Sequence, residues 1–350
     1  MFGRLGWLNT LAMLVLMWAS AMSQSSWQVA HRVQLGAEHD NNIYEAARRT
    51  DAFSGRLLLR SRVDRQWQRA NFALTYSGGL QTYPGHADEN KLTNDLGVEL
   101  GWQLKPWCRV NGAAQGTLKV YFNGPYDFGT TQSSLNVALQ LPQEVVATLS
   151  ATTLRLDYAE SDDFDYLGRA FGISFRRRFT DWLMLDAGAH HIRLRYLRPA
   201  FDVSDNQLWL PLGGDQRDQQ TSAMLRCILG RQFLINLSGE WLRNNSNSDG
   251  HEYDRLRISL IAAFRLSPRW LLRVAALRQH KNYLDALPPA LPIELDAERN
   301  ESNFIVADVS YDLSNELAWL TRVSIYDNEG AVRGLFYQKT LFFSGFEYRF

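Results

Sequence analysis

Cysteine is scarce: Cys108 and Cys227 are the only two in 350 residues. A small secreted domain stapled by disulfides would carry more. Each of the two sits in an alternating apolar pattern, far from the other, as a small hydrophobe does. An excess of one charge is also missing, with 37 Lys and Arg against 37 Asp and Glu. That removes the basic surplus a nucleic-acid partner would demand. The chain lacks a run of apolar residues long enough to cross a bilayer as a helix, and its mean hydropathy is −0.29. Both facts argue against a helical membrane protein. No Gly-rich phosphate loop, zinc-ligand spacing or nucleotide fingerprint occurs, so no cofactor or metal is expected. The one His pair, His190-His191, has no nucleophilic serine motif beside it, which argues against hydrolytic chemistry. Asp162, Asp163 and Asp165 read as a solvated acidic loop rather than a Ca²⁺ site.

What is present begins with a leader. Arg4 supplies a positive start, Leu8 to Trp18 an apolar stretch, and Ala19-Ser20-Ala21 or Ala21-Met22-Ser23 a small-residue cleavage site. Residues 1–23 therefore read as a signal peptide, and residues 24–350 as one domain with no visible linker.

The rest of the chain repeats with period 2, the mark of strands with one apolar face. Val110, Gly112, Ala114, Gly116, Leu118 and Val120 alternate with Arg109, Asn111, Ala113, Gln115, Thr117 and Lys119. Leu256, Ile258, Leu260, Ala262 and Phe264 do the same against Arg255, Arg257, Ser259 and Arg265. Runs of roughly 10–15 residues exceed the usual soluble strand and suit a tilted membrane strand. Short turns near 64–65, 105–106, 142–144, 180–181, 230–231, 267–269 and 314–316 separate longer polar stretches. Those lie near 39–53, 81–91, 123–131, 159–165, 198–218, 244–251, 282–302 and 326–334. The spacing predicts an all-β, single antiparallel transmembrane barrel of about 16 strands, with 14 to 18 fitting the same pattern. Short turns and both termini would share the periplasmic rim. The stretches at 198–218 and 282–302 read as loops, directed outward or folded in as a plug.

Tryptophan is distributed by rim. Trp27, Trp67, Trp107, Trp182, Trp270 and Trp319 fall at the starts of upward strands, and Trp102 near the end of a downward one. An amphipathic indole settles at the headgroup level, so these seven read as a membrane-interface girdle.

The chain ends Leu-Phe-Phe-Ser-Gly-Phe-Glu-Tyr-Arg-Phe, with Phe342, Phe346, Tyr348 and Phe350 on one face. This resembles the closing strand of Gram-negative outer-membrane β-barrel proteins of the porin-like kind. The resemblance implies an outer-membrane location, lipids as the surroundings, and an assembly signal at Phe346, Tyr348 and Phe350 for the barrel-assembly machinery. Asp40-Asn41-Asn42-Ile43-Tyr44 is similar to the Asp-Ser-Asn-Val type stretch of some barrels linked to surface polysaccharide or lipoprotein systems, with Asn41 departing from Ser.

Parity assigns Arg32, Arg56, Arg60, Arg62, Arg109, Lys119, Arg155, Arg226, Arg255, Arg257, Arg265, Arg273, Arg322 and Lys339 to the lumen. The acids on that face are fewer: Glu38, Asp95, Glu99, Asp157, Glu240, Asp308 and Glu347. Basic rings favour anions, so the expected function is a porin-like channel for small polar solutes with mild anion preference, and no enzymatic activity. The alternative is a closed or export-associated barrel, a scaffold or a conduit for surface polysaccharide or lipoprotein. No nucleic-acid partner is expected, and the oligomeric state stays open.

Overall fold

The computed structural model describes residues 27–45, 48–123, 127–160, 162–203, 209–284, 303–328 and 337–350. The leader at 1–23 and the proline-bearing stretch at 285–302 lie outside them. The strands are β1 (Trp27–Asp40), β2 (Ala52–Gln66), β3 (Ala70–Thr82), β4 (Lys91–Lys105), β5 (Cys108–Tyr121), β6 (Phe128–Gln140), β7 (Val145–Tyr158), β8 (Tyr166–Thr180), β9 (Leu183–Val203), β10 (Trp209–Gly230), β11 (Phe233–Ser246), β12 (Tyr253–Arg265), β13 (Trp270–Tyr283), β14 (Asn303–Asp312), β15 (Leu317–Asn328) and β16 (Tyr337–Arg349).

Each strand pairs antiparallel with its sequence neighbours, and β1 pairs with β16, so the 16-strand sheet closes on itself. Closure leaves no edge of unpaired backbone groups, which hydrocarbon would not tolerate. At the seam Leu35 stands opposite Phe346 and Gln34 opposite Glu347. His31 and the terminal Phe350 exchange backbone hydrogen bonds of 2.8 and 3.1 Å, which ties down the last residue.

The two faces can be told apart without assuming a membrane. Arg60 on β2 interacts electrostatically with Arg32 on β1, Glu347 on β16, Arg322 on β15 and Arg273 on β13. β2 and β13 are five strand steps apart, about 24 Å along the wall. Only side chains pointing into the barrel can converge over that arc. The registers then carry this parity around the ring: Arg60 opposes Ser77, Ser77 opposes Asp95, Asp95 opposes Thr117, Thr117 opposes Thr130 and Thr130 opposes Leu156. The opposite face is apolar and bare. Leu35, Leu100, Leu135, Leu149, Phe171, Phe175, Leu225, Leu237, Leu256, Ile305 and Phe342 are all exposed. So continuous an apolar band on the outside is what a hydrocarbon surround requires.

Three boundaries differ from the sequence expectation, one being β6, which already begins at Phe128 inside the stretch read as 123–131. The first turn falls at residues 67–69 rather than 64–65, because Arg62 and Asp64 continue the β2 ladder. The stretch 198–218 is mostly strand. β9 and β10 run 21 and 22 residues and form a hairpin longer than any other. Pro199, Pro211, Gly213 and Gly214 give it a loop-like composition, yet Phe201 opposes Pro211 and Ala200 opposes Leu212. The register shifts between Leu212 and Arg217 absorb the irregularity.

Candidate functional site: the barrel interior

The inward face carries Arg32, Arg56, Arg60, Arg62, Arg109, Lys119, Arg226, Arg255, Arg257, Arg265, Arg273, Arg322 and Lys339, by the registers that run from Arg60. Arg155 is a correction. On β7 it opposes Thr131 and Leu167, on the apolar outer face. It pairs there with Asp157, Nε to Oδ2 at 2.6 Å, so Asp157 also leaves the interior. The reason is local. Leu156 and Tyr158 turn inward instead and pack with Phe128, Phe164 and Tyr166. Above the apolar band the outer wall no longer meets hydrocarbon, and polar no longer implies inward.

Inward acids are mostly matched to a cation. Arg56 Nη1 lies 2.7 Å from Glu38, Arg62 Nε 2.7 Å from Asp64, and Arg255 Nη2 3.3 Å from Glu240. Asp308 holds both Arg322 and Arg273, the latter at 3.7 Å. Several members of this network have no sequence signal of their own. Arg176 pairs with buried Asp186 at 2.9 Å, and Arg349 bridges Asp312 and Glu347 at 3.0 and 2.7 Å. Arg176 lies in an Arg-Arg-Arg run where parity is hard to read, and Arg349 sits inside the aromatic C-terminal pattern that draws the eye outward.

The pairing leaves a remainder. Among the described residues, Arg32, Arg60, Arg226, Arg257 and Arg265 have no carboxylate partner within ion-pair distance. Arg32, Arg60, Arg62 and Arg109 are exposed although they point inward, so solvent reaches them inside the ring. A recess of about 390 Å³ opens there, lined by Arg32, Arg60, Arg62, Asp95, Glu99 and Gln115. Arg109 donates to Asn111 at 2.9 Å and also to Asn71.

Toward the rim where the longer connections lie, the inner wall changes character. Phe128 meets Tyr158, Tyr166 meets Tyr196, and Tyr253 meets Tyr283, with ring centroids 5.5, 5.5 and 5.6 Å apart. Cations interleave: Lys119 over Tyr121 at 4.9 Å, Arg198 over Tyr196 at 4.9 Å, Lys281 over Tyr253 at 5.1 Å.

The Asp40–Tyr44 stretch forms a polar knot at this end of the seam. Asp40 and Asn42 are fully buried. Asp40 accepts from the Asn42 backbone N–H at 2.9 Å and from the Tyr83 hydroxyl at 3.1 Å, and Lys339 Nζ lies 2.8 Å away. Asn41 accepts from the Thr340 N–H at 2.7 Å, and Asn42 donates to the Gln338 carbonyl at 3.1 Å. The motif thus fastens β1 to β16.

Trp27, Trp67, Trp102, Trp107, Trp182, Trp270 and Trp319 all stand at the end of the barrel that holds the short turns, the start of β1 and the end of β16. Arg65 is sandwiched between Trp27 and Trp67 at 4.8 and 5.0 Å. Trp270 stacks near Tyr311 with centroids 4.7 Å apart, and Trp319 Nε1 donates to Ser344 at 3.1 Å. Phe346, Tyr348 and Phe350 are outward and exposed. His190 and His191 face opposite sides of the wall: Gly172 packs against the His190 ring, whereas His191 meets Thr221 at 3.2 Å on the outer face.

No protein-family model matches the chain, and no curated protein sequence matches it. Solved structures do match. OprB from Pseudomonas putida, solved at high pH, superposes with a TM-score of 0.52 at 9% identity, over 95% of this chain and 96% of that one. OccAB3 from Acinetobacter baumannii gives 0.46 at 10% identity, over 93% and 99%. OmpT of Vibrio cholerae gives 0.45 at 10% identity, over 93% and 98%. At such identities the likeness is one of fold alone, that of a closed antiparallel β-barrel.

Proposed function

We propose that this chain is a porin-like channel of the outer membrane, passing small polar solutes with a mild preference for anions. One observation carries the reading: solvent reaches arginines inside the ring, and Arg32 and Arg60 there have no carboxylate within ion-pair distance among the described residues, Glu347 being paired with Arg349. A barrel of about 16 strands encloses room for an aqueous path unless something fills it. Unpaired guanidinium groups along such a path raise the local anion concentration. The Trp-rich rim would be the periplasmic interface girdle, and the C-terminal aromatic face the signal read by the assembly machinery. The non-hydrolytic reading of His190 and His191 is supported by their opposite orientations.

The experiment is single-channel conductance of the purified protein in a planar bilayer under a salt gradient. Open steps with an anion-leaning reversal potential are the expected result. A cation-leaning potential would overturn the preference. A protein that inserts and passes no current would overturn the channel and favour a closed or export-associated barrel. One observation favours that second reading: the apolar cluster of Phe128, Leu156, Tyr158, Phe164 and Tyr166 occupies interior space near one rim.

A further inference from the structure

The outer wall of β7 to β11 bears a patch that a channel has no use for. Arg155, Arg169, Arg193, Arg195, Arg217 and Arg243 all lie on the outward parity. Two of the contacts are like-charge pairs. Arg169 stands directly opposite Arg193, and Arg195 directly opposite Arg217. Like charges facing each other across a ladder destabilise a sheet, so this arrangement asks for a counter-ion. Local acids answer in part: Arg155 has Asp157, Arg195 has Asp215 at 2.5 Å, and Arg243 has Asp254 at 3.4 Å. Arg169, Arg193 and Arg217 have no carboxylate partner among the described residues, and all three are exposed. Arg193 has only a 3.3 Å contact from its Nε to His191.

Position identifies the missing partner. Along β8 the outward residues read Leu167, Arg169, Phe171, Ile173 and Phe175, and the last three are exposed apolar side chains. One dyad step, about 6.6 Å, separates the guanidinium level from the apolar band. The patch sits toward the rim away from the Trp-bearing turns. The corresponding outward positions on β1 to β6, such as His39, Phe53, Leu80, Leu92, Val120 and Thr131, carry no arginine, and the outward Arg278 of β13 is paired with Asp327, so among the described residues the outward arginines without a carboxylate at this rim lie on β8 to β10. An occupant must therefore be amphiphilic, with acyl chains against Phe171, Ile173 and Phe175 and anionic groups at the arginines. Guanidinium groups recognise phosphate by paired N–H donors.

We infer that the outer face of β7 to β11 is a binding site for a phosphorylated lipid of the outer leaflet, its phosphates held by Arg169, Arg193 and Arg217. The inference rests on the membrane-barrel reading but not on conduction.

The test is native mass spectrometry of the detergent-purified full chain with a bis-phosphorylated glycolipid, the same lipid after phosphatase treatment, and inorganic pyrophosphate. Wild type is expected to retain the phosphorylated lipid and lose it about tenfold or more in Arg169→Gln/Arg193→Gln, since each charge-assisted contact is worth more than a neutral one. Arg169→Lys/Arg193→Lys, which keeps the charge, should recover part of the binding. Arg32→Gln/Arg60→Gln, altered only inside, should bind as wild type does. Equal retention of the dephosphorylated lipid, or undiminished binding by the outer-face variant, would overturn the site. Displacement by pyrophosphate at equimolar concentration would assign the patch to soluble anions instead. Folding is checked by the heat-dependent shift in gel migration, and Arg217→Gln alone serves if the double variant fails to fold. A failure of this site leaves conductance untouched, so the two readings fail separately.

Discussion

The ring of Phe343 lies against Gly36 across the β1–β16 seam. A Cβ placed on residue 36 would stand 2.6 and 2.7 Å from two ring carbons, and would also strike the Ser344 carbonyl. Phe343 is 3% exposed and covers Gly345 on its own strand as well, with a ring carbon 2.8 Å from a Cβ built there. The seam that closes the barrel is thus built on an aromatic ring laid over two positions that lack side chains.

Gly36→Val should therefore disturb closure. Backbone at the seam cannot move aside as a flexible side chain can, so overpacking of about 1–3 kcal/mol is expected. The variant's heat-modifiable gel shift should occur at a lower temperature than wild type. Gly213→Val, where a Cβ meets nothing within 4 Å, is the control and should leave the transition in place.

Lys339 is the second support of the seam. Its ammonium lies 2.8 Å from Asp40 and 3.0 Å from Glu45, and its side chain is 8% exposed. Lys339→Met would leave buried Asp40 without its cation, and removing one partner of a buried pair costs about 3–5 kcal/mol. Denaturant titration should show that loss. Combining Lys339→Met with Asp40→Asn should restore part of it, because the fully buried Asp40 charge is then gone.

Arg32→Glu/Arg60→Glu should shift the reversal potential of any conducting channel toward cations. The sign follows from replacing two unpaired positive groups with negative ones at a point that solvent reaches. Arg155→Glu, on the outer wall, should leave selectivity unchanged. A selectivity change there would contradict the registers that turn Arg155 outward.

His251, in the connection between β11 and β12, reports on pH. Burial, followed by the nearby Arg198 guanidinium, holds its pKa below the ordinary value of 6.5. The contacts agree with a neutral ring: Arg198 Nη2 lies 3.0 Å from Nε2, and Nδ1 lies 2.9 Å from the Asp249 carbonyl, so Nε2 accepts and Nδ1–H donates. A folded pKa below the unfolded one means the unfolded chain binds the proton first. The stabilisation is present above about pH 6.5 and is lost as pH falls toward the folded value. Thermal midpoints of wild type should drop more than those of His251→Gln between pH 7.5 and pH 5. Equal slopes would show that the Arg198–His251 contact carries no linkage.

Much of this barrel is legible in the residues alone. Leu256, Ile258 and Leu260 against Arg255, Arg257 and Ser259 announce a two-faced strand, and repetition of that pattern around short turns leads to 16 strands. Period-2 alternation survives because hydrocarbon on one side and water on the other act on every strand at once. The same rule fails where the two media change. Arg155 and Asp157 follow the alternation of β7 faithfully, yet above the apolar band the outside is polar and Leu156 and Tyr158 are buried within. The β9–β10 hairpin fails differently, since Pro199, Pro211, Gly213 and Gly214 look like loop, yet Pro199 and Pro211 are paired in the ladder and the two glycines fall in its register shift.

The sequence by itself determines the alternation, the number of strands to within two, the aromatic rim and the basic character of the inward parity, because each is a local pattern set by side-chain polarity. Tertiary structure alone decides which arginine finds an acid, that Phe343 shelters Gly36, and that Arg169 confronts Arg193. The last two join residues 307 and 24 positions apart, and only the registers of the folded ladder bring them together.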